Sequence, residues 1–199
     1  MIEHHGWHVA SAFTAPVDEA ARTRESVGLG DVSWMAKFDL QGHGLKTPPA
    51  LGTEAFLWSL GRLHNLVTCE PPAVDAVRER LQQFQNVGTD ASLPPPIYVT
   101  EVTSVYAQLQ LAGPRSGEVL NKLTSLDLPG SLREDRTCAQ ANVAHVHAIV
   151  LREDLKGIPA YHLLVSREYG ESIWESVLDA GHEFHIAPFG LQARQLLRS

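Results

Sequence analysis

Arg24-Glu25-Ser26-Val27-Gly28-Leu29-Gly30-Asp31-Val32-Ser33-Trp34-Met35-Ala36-Lys37-Phe38-Asp39-Leu40-Gln41-Gly42 carries the chain out of a helix and into a strand, and its reading decides the fold. Upstream of it, residues 14–27 read as a helix. Pro16 stands in the first turn, Asp18 and Glu19 suit the positive end of the dipole there, and Gly28 ends the run. Val17, Ala20, Ala21, Arg24 and Val27 form the expected inward stripe. Downstream, Trp34, Ala36, Phe38 and Leu40 alternate with Met35, Lys37, Asp39 and Gln41, the period of a half-buried strand. On that pattern Lys37 turns to solvent.

Farther along, strands are expected at 54–59 and 63–69, then a helix opened by Pro71-Pro72 with Val74, Val77, Leu81 and Phe84 inside. Residues 86–96 are rich in Gly, Asp, Ser and Pro and read as a linker or crossover. Strands follow at 97–103 and 106–111, and a helix after Gly113-Pro114 buries Val119, Leu120, Leu123 and Leu126. Residues 128–137 read as a polar loop. Strands at 143–151 and 161–165 flank a turn at Lys156-Gly157-Ile158-Pro159, and a helix over 168–180 buries Ile173, Trp174, Val177 and Leu178. Strands and helices without regular parallel alternation indicate an α+β fold, divided into halves at 1–96 and 97–199.

A chain of 199 residues with 44% hydrophobic side chains can bury a proper core in one or two domains. Its net charge of −7 supplies no basic footprint, which argues against a nucleic-acid or membrane-surface partner. No apolar run approaches the roughly 18 residues of a membrane span. The opening residues lack the basic and apolar regions of a signal peptide. Cys69 and Cys138, far apart in sequence, fit inert core thiols in a reducing cytoplasm.

The opening stretch resembles the signature R-x-x-V-G-L-x-D-V-S-x-M-x-K of the glycine-cleavage T-protein family, folate-dependent aminomethyltransferases. Three further blocks are similar to that family, in its order. Tyr106 to Leu120 looks like A-x-L-x-L-x-G-P-x-A-x-x-V-L, Tyr169 to Gly181 like Y-x-x-x-L-W-x-x-L-x-x-A-G, and Pro188 to Arg198 like P-x-G-L-x-A-R-D-x-L-R. The resemblance implies the aminomethyltransferase folate-binding-domain fold: two interlocked sub-domains of mixed or antiparallel sheet with flanking helices. It implies tetrahydrofolate as cofactor, with nothing covalently bound. In length and C-terminal half the chain looks like the gamma subunit of heterotetrameric sarcosine oxidase, without the C-terminal β domain of full T-proteins. The partners so implied are flavoprotein oxidase chains, or further copies of the same chain.

The family's chemistry is altered in places. Its acidic G-G-x-x-D-D motif corresponds to Leu51-Gly52-Thr53-Glu54-Ala55-Phe56, where Glu54 is either a substitute acid or a strand-edge glutamate. The family run Y-T-G-E-D-G-Y-E ends in a glutamate that holds the pterin ring. The aligned run ends in Tyr161-His162, so an imidazole with one acceptor replaces a two-oxygen carboxylate. His162 is then a weakened pterin contact or a plain sheet residue. Arg194 matches the arginine of G-L-x-A-R-D that contacts folate; its other reading is a helix-terminal surface arginine. Asp31 and Met35 belong to the loop that lies near the family's ligand cavity, and Met35, like Trp34, also reads as core. The cofactor-binding set is therefore Arg194, Asp31, Met35, His162 and Tyr161, and no catalytic residue is assigned. His145-x-His147 puts two imidazoles on one strand face without a third ligand, so no metal site is assigned. His4-His5-x-x-His8 reads as a mobile terminus.

Two functions follow from this reading. One is a non-catalytic or residually folate-binding subunit of a sarcosine-oxidase-like, amine-oxidising complex. The other is a stand-alone tetrahydrofolate-dependent aminomethyl- or methyl-transferase. Of the hallmark K-G-C-Y-x-G-Q-E of the related iron–sulfur repair proteins, only Lys156-Gly157 remains.

Overall fold

The computed structural model describes residues 1–42, 45, 51–52, 55–86 and 97–199. Glu54 and the expected linker beyond Asn86 lie outside the described residues. In the first segment run β1 (Ile2–His4), β2 (Trp7–Val9), α1 (Pro16–Glu25) and β3 (Gly28–Asp31). Then come β4 (Ala36–Gln41), β5 (Ala55–Gly61), β6 (His64–Cys69), α2 (Val74–Asn86) and β7 (Tyr98–Glu101). The last segment holds β8 (Tyr106–Ala112), α3 (Ser116–Leu123), α4 (Leu128–Ser131), β9 (Cys138–Val143), β10 (Val146–Arg152), β11 (Ala160–Ser166), α5 (Gly170–Gly181), β12 (Ala187–Pro188) and α6 (Leu191–Arg198).

These elements form two units: Met1–Trp34 with Ser104–Ser199, and Met35–Thr103. β3 pairs antiparallel with β8 and parallel with β12, which ties the N-terminal segment to the C-terminal one. The first unit has a six-stranded sheet in the order β12-β3-β8-β11-β10-β9, beside the small β1-β2 hairpin. Antiparallel pairing alternates side chains between its faces. Leu109, Leu111, Leu163 and Val165 pack under Val119 and Leu120 of α3 and Ile173 and Val177 of α5 in one core. The second unit is an antiparallel sheet, β5-β6-β4-β7, whose Phe38, Leu40 and Val67 share a core with Val77 and Leu81 of α2.

Several expectations need correction. The inward residues of α1 are Glu19, Ala20 and Thr23, whereas Val17 is 68% exposed. Glu19 goes inside because its carboxylate accepts the backbone N–H groups of Phe13, Thr14 and Gly190. Gly28 does not merely end the helix; it begins β3, where the Phe189 ring lies so close that a Cβ on Gly30 would sit 2.3 Å from it. The expected strand over 143–151 is two strands, β9 and β10, joined by Ala144 and His145, both at positive φ. His145 is therefore a turn residue and shares no strand face with His147. The loop over 128–137 contains the short helix α4, with Leu128 and Leu132 buried. Lys37 is fully buried, since β4 runs between β6 and β7 inside its sheet, and its ammonium donates to the Met35 carbonyl at 2.6 Å.

Candidate functional site

On the sheet face opposite α3 and α5, three polar side chains are buried together. Gln108 and Gln110 lie two apart on β8, and His162 of β11 pairs in register with Gln110. All three are fully buried. The Gln108 amide nitrogen lies 2.9 Å from His162 Nδ1, and that of Gln110 lies 3.2 Å from Nε2. Just past β10, Glu153 reaches the same ring, its Oε2 lying 3.3 Å from His162 Nε2. One imidazole nitrogen thus faces an amide and a carboxylate together. A proton on Nε2 binds it to Glu153; without one, it accepts from Gln110.

α6 adds a guanidinium. Arg194 is 3% exposed and donates from Nε to the Gln110 carbonyl at 2.9 Å, which fixes the way that amide faces. Its guanidinium also lies 5.0 Å over the Trp34 ring, and the His4 ring meets that indole edge-on at 4.7 Å. Burial pushes the Arg194 pKa down to about 10, with the charge of Glu153 working against the fall, so it remains a cation at neutral pH. Burial alone pushes the Glu153 carboxyl up. The hydrogen bond and charge of His162, with the charges of Arg194 and Arg136, outweigh that and hold it below the ordinary carboxylate range. The result is a desolvated cation, carboxylate and imidazole on one rigid sheet face. Chemically it can receive paired N–H donors and balance negative charge.

The structure brings together Arg194 and His162 from the expected set. Tyr161, the next residue along β11, turns to the opposite face, where it is buried in the helix-covered core with the Arg152 guanidinium 5.9 Å from its ring. Asp31 ends β3 in the open, its Oδ1 accepting from Ser33 N and Oγ at 2.8 and 2.6 Å. Met35 is buried in the second unit. Glu153, Gln108 and Gln110 were missed. For the glutamines a signal existed: two amides at alternate positions of an otherwise apolar strand give that strand a polar face. Glu153 stands just beyond the end of β10 and carries no such signal.

Residues 54–199 match the family described as the GCVT N-terminal domain. The chain belongs to this family. Among curated relatives of this GCVT-domain chain, the aminomethyltransferase of Acidobacterium capsulatum is 27% identical over 220 residues, covering 100% of this chain and 58% of that protein. The one from Geobacillus kaustophilus is 28% identical, covering 99% and 59%. The chain thus spans about three fifths of the length of these relatives. Its fold matches the glycine cleavage system aminomethyltransferase T from Bartonella henselae with a TM-score of 0.74 at 17% identity, covering 98% of this chain and 57% of that one. It also matches a chain of the heterotetrameric sarcosine oxidase from Corynebacterium sp. U-96, with a TM-score of 0.61 at 18% identity, covering 85% and 92%. The mixed α/β architecture is that of the aminomethyltransferase folate-binding domain.

Proposed function

We propose that this aminomethyltransferase-like domain binds a tetrahydrofolate on the Gln110–His162 face of its six-stranded sheet, as a non-catalytic subunit of an amine-oxidising, sarcosine-oxidase-like complex. The observation that carries the reading is Arg194: the arginine matching the family's folate contact is buried, held by Gln110, and set in one cluster with Glu153. The donor set fits a flat, polar heterocycle. Glu153 offers a carboxylate for paired N–H donors beside the imidazole that occupies the family's glutamate position, and Arg194 offers a cation. The near-complete match to a chain of a heterotetrameric oxidase supports the subunit role. The names of the curated relatives favour the alternative, a stand-alone tetrahydrofolate-dependent aminomethyl- or methyl-transferase.

Calorimetric titration with tetrahydrofolate tests the binding. Saturable micromolar binding is expected, weakened about tenfold or more in Arg194→Ala, since a charge-assisted hydrogen bond is lost. Absence of binding by the wild-type chain overturns the folate reading. Binding unchanged in both Arg194→Ala and Glu153→Gln moves it off this face. Aminomethyl transfer by the chain alone supports the transferase alternative; binding without transfer supports the subunit.

A further inference from the structure

The opposite, helix-covered side of the same sheet carries a cavity. β2, the end of β3, β8 and the start of α5 enclose about 380 Å³, a volume typical of small-ligand sites. Trp7, Trp34 and Trp174 line it with the carboxylates of Asp31 and Glu171 and the guanidinium of Arg167. Two of these indoles already carry a cation: Arg167 lies 4.8 Å from the Trp7 ring centre and Arg194 lies 5.0 Å from that of Trp34. Trp174 stacks loosely on Phe13 at 6.5 Å and has no cation over it among the described residues. The carboxylates of Asp31 and Glu171 face the guanidiniums of Arg167 and of Arg194 over the Trp34 ring, and His8 is the remaining titratable group on the wall. Both hydrogen bonds to Asp31 fall on Oδ1 and come from neutral donors, so they orient the carboxylate without cancelling its charge.

An adjoining lobe of about 240 Å³ shares His8, Val9, Asp31 and Trp174 and adds Met1, Ala10, Phe13 and Phe189. The space beside the carboxylate is therefore lined largely by hydrocarbon and indole. A bare ammonium ion resists leaving water for such a place. A methylated one sheds its water readily and offers methyl surface to aromatic faces. We infer that this cavity binds a methylated ammonium group, with Trp174 and its neighbouring indoles around the methyls and Asp31 and Glu171 balancing the charge.

Tryptophan fluorescence of the full chain, titrated with tetramethylammonium chloride against sodium chloride at equal ionic strength, tests the inference. Choline and its neutral isostere 3,3-dimethylbutanol form a second pair. Saturable quenching by both methylated cations is expected, with none from sodium or the neutral isostere. Asp31→Asn and Glu171→Gln each weaken the cation response about tenfold while the far-ultraviolet dichroism is unchanged. Equal responses to choline and the neutral isostere overturn the inference, as does a wild-type response without saturation. Should Asp31→Asn disturb the Ser33 turn, Glu171→Gln, on the exposed first turn of α5, decides alone.

Discussion

Glu153 sets burial against charge at a single residue: desolvation pushes its pKa up, while His162 and two arginines hold it below the ordinary carboxylate value. A carboxyl whose folded pKa is depressed contributes stability above its unfolded value and loses it as pH falls through the folded one. Wild type is therefore expected to exceed Glu153→Gln by about 1–3 kcal/mol at neutral pH. Urea unfolding at a series of pH values should show that gap closing below pH 4.5. A gap that stays constant into acid assigns Glu153 a packing role only. Glu19 has a different task, as acceptor for three backbone N–H groups, one of them from Gly190 across 171 residues of sequence. Glu19→Ala is expected to cost about 3 kcal/mol, read from the shift in urea midpoint. Arg194 and His162 were legible as candidates because family motifs mark their positions. Glu153 was not, because its relation to His162 exists only where β10 pairs with β11.

Among the elements, two glycines at close approaches separate rigid from yielding surroundings. A Cβ on Gly113, whose φ is +125°, would meet the Ser26 carbonyl at 2.3 Å, and backbone cannot move aside. A Cβ on Gly30 meets instead the Phe189 side chain at 2.3 Å. Both alanine variants are expected to lose stability, by about 1–3 kcal/mol or more. Thermal melts should show Phe189→Leu partly rescuing Gly30→Ala and leaving Gly113→Ala unimproved. Hairpin turns show why some elements were legible and others were not. Lys156-Gly157 joins its strands with both residues at positive φ, and the glycine announced that turn in the sequence. Ala144-His145 adopts the same sign of φ with neither residue favouring it, so β9 and β10 looked like one strand. The α1 stripe was misplaced for a related reason, since Glu19 follows its hydrogen-bond donors inward.

For the whole molecule, the decisive fact is that one unit is discontinuous and the other continuous in sequence. Removing residues 182–199 takes away β12, the parallel partner of β3, and the buried Phe189 and Leu197. Those two side chains alone contribute about 3–6 kcal/mol, against a total stability of about 5–15 for an ordinary domain. Loss of the near-ultraviolet dichroism of the six-stranded unit is the expected outcome of that truncation. The two thiols report on the units separately. Cys69 is buried in the sheet of the 35–103 unit, and burial pushes its pKa up to about 11, while Cys138 on edge strand β9 is partly exposed. A disulfide reagent under native conditions should therefore label Cys138, and label Cys69 only at urea concentrations that unfold its unit. The sequence by itself determined the family and most of the helices and strands, because periodicity, proline and glycine act over a few residues. Only the tertiary structure decided which chain segments share a sheet, which polar side chains are buried, and that Glu153, His162, Gln110 and Arg194 meet. Those outcomes depend on pairing between residues far apart in sequence, and local pattern carries no record of the partner.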